Sequence, residues 1–243
     1  MSSSSSAPVG PHPIPHGKTA RRVEWIHLPP RVRSHIEQRI GAGITGAESQ
    51  TAGFTPGFAS VLTDENGGRT FVTAASTKAQ RVFAAAYQEE ARKLAALPEQ
   101  APAASLLWTS EVEDWVVLGI EYLDSRPPAR PWTDTDLDAT LDALEQIADL
   151  LTPPPDRLAL AELSEDLADF PAMWPSLREA PQYLPDLDPP FADHVTEAEA
   201  LAAAYAEVVR GDTLVHTDVR DDNVLVRADG TVAFCDWNWP CRG

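Results

Sequence analysis

Alternating apolar and polar residues predict a run of antiparallel strands in the first half of the chain. Residues 41–75 contain three strands: a glycine-containing turn within residues 51–60 joins the first two, and the hairpin turn Asp64–Gly68 joins the second to the third. Two further strands are predicted at Leu106–Thr109 and Trp115–Leu123. Five short strands so close together indicate a small antiparallel sheet.

Apolar residues at helical spacing predict helices around these strands. One helix is indicated before the sheet by Val32, Ile36 and Ile40. A longer helix is predicted from Lys78 to Leu97. Four of its residues share one face: Phe83, Tyr87, Glu90 and Leu94. Glu90 is therefore a carboxylate on an otherwise apolar stripe.

Two helices are predicted in the second half of the chain before its last 32 residues. A helix opens at Thr133–Asp136, where acidic residues favour a helix N-terminus, and another ends near Gly211. Three short strands then follow: Thr213–Val215, Val224–Val226 and Val232–Phe234. Asp218, Asn223 and Asp236 consequently lie at strand ends or in loops.

These three side chains form a recognisable chemical set. Two carboxylates and an amide are ligands that Mg²⁺ accepts together with water and phosphate oxygens. The spacing His-x-Asp-x-x-x-x-Asn, followed by an apolar strand that ends in Asp, is used in kinase-type phosphoryl transfer. In that pattern Asp218 accepts the hydroxyl proton, and Asn223 and Asp236 bind the metal.

A simpler interpretation applies to any single acid of this segment. Asp221, Asp222 and Asp229 are also present, and an acid in such a loop is commonly a solvated turn residue. The combined pattern is much rarer than its parts, so the sequence favours the kinase interpretation.

The segment His216-Thr-Asp218-Val-Arg220-Asp-Asp-Asn223, together with Cys235-Asp236-Trp237, resembles the aminoglycoside phosphotransferase and choline kinase-like family. The resemblance implies an α+β, protein-kinase-like fold with a small antiparallel-sheet N-lobe and a mainly helical C-lobe. It also implies Mg²⁺-dependent transfer of a phosphoryl group from ATP or GTP to a small-molecule hydroxyl. The corresponding divisions are a disordered tail at residues 1–20, the N-lobe at 21–124 and the C-lobe at 125–243.

By the same resemblance, several residues are candidates for nucleotide binding. The turn containing Gly53, Thr55 and Gly57 would lie over the phosphates, although most turns of this kind merely connect strands. Backbone groups from Glu121 to Leu123 would hydrogen-bond a purine edge.

The sequence departs from the family pattern at Thr73. The resemblance implies a phosphate-binding lysine there, paired with Glu90, but the cation is missing. Without that partner, Glu90 could instead bend to solvent. Lys78 and Arg220 are conceivable substitutes, and Arg220 is preferred because it lies two residues after Asp218.

The end of the chain is a second departure. Seven residues follow Asp236, whereas the family continues into helices that complete the C-lobe. The sequence therefore predicts an incomplete C-lobe, in which the chain is a fragment or the acceptor site is unusual. A non-catalytic kinase-like protein is the main alternative, and an acidic interaction domain with a coincidental motif is a remote one.

Composition restricts the partners. Nineteen basic against 37 acidic residues give a net charge of −18, which argues against nucleic acid and anionic membranes and would attract a cationic acceptor. No apolar run approaches the ~20 residues of a membrane-spanning helix, and no signal peptide is evident at the N-terminus. We therefore expect a cytoplasmic protein, and two cysteines predict no disulfide framework.

Overall fold

The computed structural model describes residues 20–52, 56–174 and 194–243. Of the predicted tail, only Ala20 belongs to these residues, and Gly53 and Thr55 lie outside them. The described residues up to Leu160 form one compact unit with residues 212–242, here called the larger unit. The described residues from Ala161 to Gly211 form the smaller unit with Gly243.

A five-stranded antiparallel sheet occupies the first part of the larger unit, as predicted. Its spatial order is β1-β2-β3-β5-β4. The strands are β1 (Ile44–Ser49), β2 (Phe58–Asp64), β3 (Arg69–Ser76), β4 (Leu106–Val112) and β5 (Trp115–Glu121). The last strand ends at Glu121, two residues earlier than predicted.

Helices α1 (Pro30–Ile40) and α2 (Arg81–Ala96) pack on opposite faces of the sheet. The alternation along β3 shows this directly. Val72 and Ala74 pack with the core residues of α1, whereas Phe71 and Ala75 pack with those of α2. Because side chains alternate along a strand, Thr73 belongs to the face toward α2, which agrees with the sequence prediction.

Helix α2 begins three residues later than predicted. The hydroxyl of Ser76 accepts hydrogen bonds from the backbone N–H groups of Lys78 and Ala79, at 3.2 and 3.0 Å. A serine side chain that binds nearby backbone donors stabilises a turn in place of helix. The chain consequently enters the helix only at Arg81.

The C-terminal end of α2 is attached to a 3-10 helix at Asp156–Leu158. Lys93 is buried, and its Nζ donates to the carbonyl oxygens of Leu158 and Ala159 at 2.5 and 2.8 Å. Arg157 Nε donates to the carbonyl of Ala96 at 2.8 Å. Two cationic side chains therefore fix the last turns of the helix that carries Glu90.

The rest of the larger unit supports the segment with the candidate chemistry. Helix α3 (Asp134–Leu150) begins as predicted, with the Thr133 hydroxyl accepting from the Asp136 N–H at 3.2 Å. A small sheet has the order β10-β9-β6. Its strands are β6 (Ser125–Arg126), β9 (Val224–Arg227) and β10 (Val232–Phe234). The β9–β10 hairpin packs on α3 through a core of buried apolar residues: Ile147, Leu151, Val224, Phe234 and Trp237.

Two short strands complete the larger unit. Strand β8 (Leu214–Val215) pairs with β11 (Cys241–Arg242) in antiparallel register. The smaller unit contains β7 (Ala161–Glu162) and the helices α4 (Leu163–Asp166), α5 (Val195–Ala203) and α6 (Tyr205–Val208).

The sequence predicted a helix that ends near Gly211, and the structure has helical residues in this region up to Val208. The helix is interrupted at Ala204, whose N–H bonds the Leu201 carbonyl three residues back at 3.1 Å. Such a bond tightens the last turn of a helix. The Tyr205 hydroxyl then donates to the Leu163 carbonyl at 2.8 Å, which anchors the second piece.

Among the helices described, none combines the length and the apolar composition that crossing a membrane requires. Cys235 and Cys241 are both free thiols.

Candidate active site

The carboxylate of Asp218 is held through both of its oxygens. Asn223 Nδ2 donates to Asp218 Oδ2 at 3.0 Å and to the Asp218 carbonyl at 2.9 Å. Arg220 Nη1 donates to Asp218 Oδ1 at 2.6 Å. The two residues predicted to act beside Asp218 thus fix the orientation of its carboxylate.

His216 connects the loop of Asp218 to the loop of Asp236. Its Nε2 lies 3.1 Å from the Cys235 carbonyl, and its Nδ1 accepts from the Asp218 N–H at 3.4 Å. The ring is buried and packs edge-on against Trp237, with ring centroids 4.6 Å apart. Burial lowers the pKa of His216, which favours the neutral imidazole that these two hydrogen bonds require.

Asp236 follows strand β10 with a left-handed backbone, at a φ of 66°. That conformation is uncommon outside glycine, and Thr217 shares it with the same φ. The Thr217 hydroxyl donates to the Trp239 carbonyl at 2.8 Å. Sparsely populated backbone conformations persist where the surroundings impose them, and they cluster at functional sites.

Within the described residues, the Asp236 carboxylate makes no hydrogen bond and no ion pair. Burial raises its pKa, as does the nearby charge of Asp218, while the Arg220 and Arg22 cations act in the opposite direction. A partly buried carboxylate without a hydrogen bond or ion pair to the described residues is the kind of group that a bound cation can stabilise.

A divalent cation bound by Asp236 would also need ligands that the protein does not supply, such as water or phosphate oxygens. In the part of the chain that the structure describes, no group of three or more His, Cys, Asp or Glu side chains could hold a metal. The Asn223 amide nitrogen is already bound to Asp218, and Asn223 Oδ1 receives only a weak contact from the Cys235 thiol at 3.8 Å. Asn223 Oδ1 and Asp236 therefore fit Mg²⁺, which commonly binds one or two carboxylates plus phosphate oxygens.

The remaining acids of the segment have structural partners. Asp221 pairs with Arg130 at 2.6 Å, and Asp222 pairs with Arg220 at 2.9 Å. Asp229 accepts from the N–H and the hydroxyl of Thr231 at 2.9 and 2.7 Å. The interpretation that an acid here is a turn residue thus describes Asp229 but not Asp236.

Arg220 lies between the carboxylates of Asp218 and Asp222, and its hydrogen bond to Asp222, together with the charges of both carboxylates, raises its pKa. Its role as a substitute for the missing lysine remains a prediction. Lys78, the other substitute considered, is exposed at the end of β3.

The face of β3 toward α2 is uncharged at the position expected for a lysine. Thr73 is buried, with 4% of its surface exposed, and its Oγ1 has no hydrogen-bond partner within the described residues. Glu90 is also buried, so it does not bend to solvent. Burial raises the pKa of Glu90 to about 8, and the charge of Asp236 contributes. Glu90 is consequently mostly protonated at neutral pH.

Gly57 is required by packing. A Cβ at this position would lie 2.9 Å from the Tyr87 hydroxyl and 3.0 Å from the Ala74 carbonyl oxygen. Both distances are shorter than ordinary van der Waals contacts. Whatever its part in phosphate binding, Gly57 lets the chain approach α2 closely at the start of β2.

The residues predicted to contact a purine lie after β5. The Glu121 carboxylate accepts from the N–H and the hydroxyl of Ser105 at 3.1 and 2.9 Å, so this side chain has a structural role. The Leu123 carbonyl accepts from the Ser125 hydroxyl at 3.1 Å. Within the described residues, the Leu123 N–H makes no backbone hydrogen bond, which leaves it free for a ligand.

Comparison with known proteins agrees with this geometry. The profile of the phosphotransferase enzyme family matches residues 57–239. The chain belongs to the phosphotransferase enzyme family. The resemblance drawn from the sequence is therefore confirmed, although no curated protein matches the chain.

Two solved structures resemble this phosphotransferase-family chain. Spectinomycin phosphotransferase in complex with ADP and spectinomycin has a TM-score of 0.52 at 14% identity, and the match covers 87% of this chain and 69% of that one. A putative fructosamine-3-kinase from Haemophilus somnus 129PT has a TM-score of 0.52 at 13% identity, covering 84% and 70%. They confirm the predicted α+β, kinase-like fold.

Two contributions within this family member could not be assigned from its sequence. His216 belongs to the recognised motif, but the motif gives no sign that the ring joins two loops. Arg22 acts on the Asp236 carboxylate from an extended segment before α1. It lies outside the residues that match the family and in no periodic pattern, so no signal identified it.

Proposed function

We propose that the chain is a Mg²⁺-dependent kinase that transfers the γ-phosphoryl group of ATP or GTP to a hydroxyl of a small molecule. The observation that carries this proposal is the fixed carboxylate of Asp218 near the carboxylate of Asp236, which makes no hydrogen bond or ion pair with the described residues. A positioned proton acceptor next to a cation site is what phosphoryl transfer requires of a protein.

Each residue then has a defined task. Asp218 accepts the proton of the acceptor hydroxyl, while Asn223 and Arg220 keep its carboxylate in place. Asn223 Oδ1 and Asp236 would bind Mg²⁺, which neutralises charge on the phosphates. In this proposal Gly57 lies near the phosphates of the nucleotide, and the backbone near Leu123 contacts its base.

The structural neighbours support the same class of reaction. One is a phosphotransferase solved with ADP and spectinomycin, and the other is described as a putative fructosamine-3-kinase. The net charge of −18 favours an acceptor that carries positive charge, because such a ligand is attracted electrostatically.

Three single variants in the same segment test the proposal. Asp236→Ala should abolish Mg²⁺-dependent nucleotide binding. Asp218→Asn should still bind nucleotide, but transfer should fall by about 10²- to 10⁴-fold, as is typical when a general base is lost. Asp229→Asn is the matched control, because an asparagine can make the same turn, and it should behave like the wild type.

The measurements are calorimetric titration of ATP and GTP with and without Mg²⁺, and transfer of labelled γ-phosphate to a panel of hydroxyl compounds that begins with spectinomycin. Equal turnover by the wild type and Asp218→Asn would exclude Asp218 as the base. Unchanged Mg²⁺-nucleotide affinity in folded Asp236→Ala would exclude the metal assignment.

A second candidate function is nucleotide binding without transfer. The observation that favours it is Thr73, a buried threonine whose hydroxyl has no hydrogen-bond partner among the described residues, at the position where the family resemblance implies a lysine. This candidate predicts that the wild type binds Mg²⁺-nucleotide yet transfers phosphate to no acceptor in the panel.

A further inference from the structure

The loop between strands β8 and β9 ends in a tight turn. The Asn223 N–H donates to the Arg220 carbonyl at 2.9 Å, so Asp221 and Asp222 are the two central residues of this turn. Asn223 closes the turn and also donates to the Asp218 carboxylate and carbonyl. The orientation of the Asp218 carboxylate therefore depends on how well the turn is held in place.

The turn is rich in negative charge. Three carboxylates belong to it and to the residues just before it: Asp218, Asp221 and Asp222. Arg220 donates to Asp218 at 2.6 Å and to Asp222 at 2.9 Å. Asp221 is paired with an arginine from another part of the chain, because Arg130 Nη2 lies 2.6 Å from Asp221 Oδ2. The loop thus receives a second positive charge that its own sequence does not contain.

Arg130 belongs to the linker between β5 and α3, and this linker is attached at several points. Strand β6 within the linker pairs with β9. Arg126 makes two hydrogen bonds with the carboxylate of Asp136, a buried residue of α3, at 2.9 and 2.8 Å. The same carboxylate accepts from the Ala129 N–H at 2.8 Å. The backbone directly before Arg130 is therefore fixed, and the guanidinium reaches Asp221 from a fixed base.

The Arg130–Asp221 pair is partly shielded from water. The exposed fractions of the two side chains are 38% and 19%. In the Arg31–Glu113 pair of the same unit, the nitrogen and oxygen are 3.2 Å apart and the exposed fractions are 82% and 40%. Fully exposed ion pairs contribute little, because water and salt screen them. The Arg130–Asp221 pair is consequently the better suited of the two to hold a loop.

We propose that Arg130 is a positioning residue for phosphoryl transfer, which holds the turn at Asp221 and so lets Arg220 and Asn223 orient the Asp218 carboxylate. The inference rests on the proposed function and adds a residue to it. Without Arg130, Asp221 would compete with Asp218 for the guanidinium of Arg220, its neighbour in the sequence. The rate of transfer depends steeply on the placement of the reacting groups, and a misplacement of about 1 Å can cost roughly 10²-fold.

The first measurement is amide hydrogen exchange by mass spectrometry, which needs no enzymatic activity. It reports how often the Asn223 N–H leaves the Arg220 carbonyl. Arg130→Gln should speed up exchange in peptides that cover this turn by roughly fivefold and leave peptides from the five-stranded sheet unchanged. Arg31→Gln removes the same charge from an exposed ion pair and is the matched control, with no effect at the turn.

The second measurement is the rate of transfer to the acceptor that the panel of hydroxyl compounds identifies. Arg130→Gln should lower kcat by about tenfold or more, while the Kd of Mg²⁺-nucleotide and the free energy of unfolding stay near their wild-type values. Arg130→Lys should restore most of the rate, because one nitrogen of Arg130 makes the contact with Asp221. In a protein that already carries Asp221→Asn, Arg130→Gln should have no further effect.

Unchanged exchange at the turn in Arg130→Gln would overturn the inference and leave the proposed function intact. A loss of rate that Arg130→Gln also causes in the Asp221→Asn protein would overturn it too, since Arg130 would then not act through Asp221. Parallel losses of stability, nucleotide affinity and rate would show a purely structural role. A wild type that transfers phosphate to no acceptor overturns the proposed function, whichever way the exchange result falls.

Discussion

Replacing Glu90 by glutamine should stabilise the protein in a pH-dependent way. Glu90 is a buried carboxyl on α2, and within the described residues it makes no hydrogen bond or ion pair. Burial raises its pKa from 4.5 to about 8, with a contribution from the charge of Asp236. The unfolded chain therefore releases this proton at a lower pH than the folded chain does.

The sign and size of the stability change follow from this difference between the folded and unfolded pKa values. A group with a raised pKa in the folded state contributes stability that is fully present below the unfolded pKa and is lost as the pH rises to the folded pKa. Each pKa unit corresponds to about 1.4 kcal/mol, so the loss is roughly 3 kcal/mol at pH 7 and approaches ~5 kcal/mol above pH 8. Glu90→Gln keeps the shape and a polar group but does not titrate.

The assay is urea unfolding of the wild type and Glu90→Gln at pH values from 5 to 9. We expect an advantage for the variant of under about 1 kcal/mol at pH 5 and of about 3 kcal/mol at pH 7. Glu145→Gln, at an exposed position of α3, is the matched control and should show no such trend. A difference that does not vary with pH, or a variant less stable at pH 7, would refute the assignment of a protonated Glu90.

Two further predictions concern substitutions at residues close to helix α2, Thr73 and Gly57. Thr73→Lys should tighten Mg²⁺-nucleotide binding by about tenfold, or ~1.4 kcal/mol, and this gain should vanish when Glu90→Ala is also present. Titrating nucleotide into the four proteins of this double-mutant cycle measures the coupling between the two residues. Unchanged affinity in Thr73→Lys would mean that the lysine does not reach the phosphates. Gly57→Ala should destabilise the fold by about 1–3 kcal/mol in urea unfolding because its Cβ would crowd the Tyr87 hydroxyl, and Tyr87→Phe should recover part of the loss. Gly43→Ala, whose Cβ would meet nothing closer than 3.7 Å, is the control, and equal effects at both glycines would contradict the packing argument.

Local patterns were sufficient to predict most of the larger unit. Alternation along Phe71–Ala75 identified the face of β3 that meets α2, because the period of a strand is a local property. The prediction was less accurate at helix boundaries. Ser76 delays the start of α2 through side-chain hydrogen bonds, and the interruption at Ala204 is accompanied by a contact with Leu163, 42 residues away from Tyr205.

The residues of the candidate site were likewise predictable from the sequence only in part. Asp218, Asn223 and Asp236 were identified from their spacing, because the chemistry requires those residue types in a fixed order. Arg22 was not, because its neighbour Ala52 is 30 residues away and its neighbour Tyr87 is 65 residues away. Long-range pairing of a lone arginine leaves no periodic trace in a sequence.

The attachment of α2 has a consequence for regulation. Lys93 lies inside the protein with its ammonium on two backbone carbonyls, and Arg157 holds the carbonyl of Ala96. Rotating the helix would leave the buried Lys93 ammonium without acceptors and these carbonyls without donors, at a free-energy cost of several kcal/mol. Glu90 therefore lies on a helix whose rotation is costly, and regulation by reorienting α2 is disfavoured in this chain.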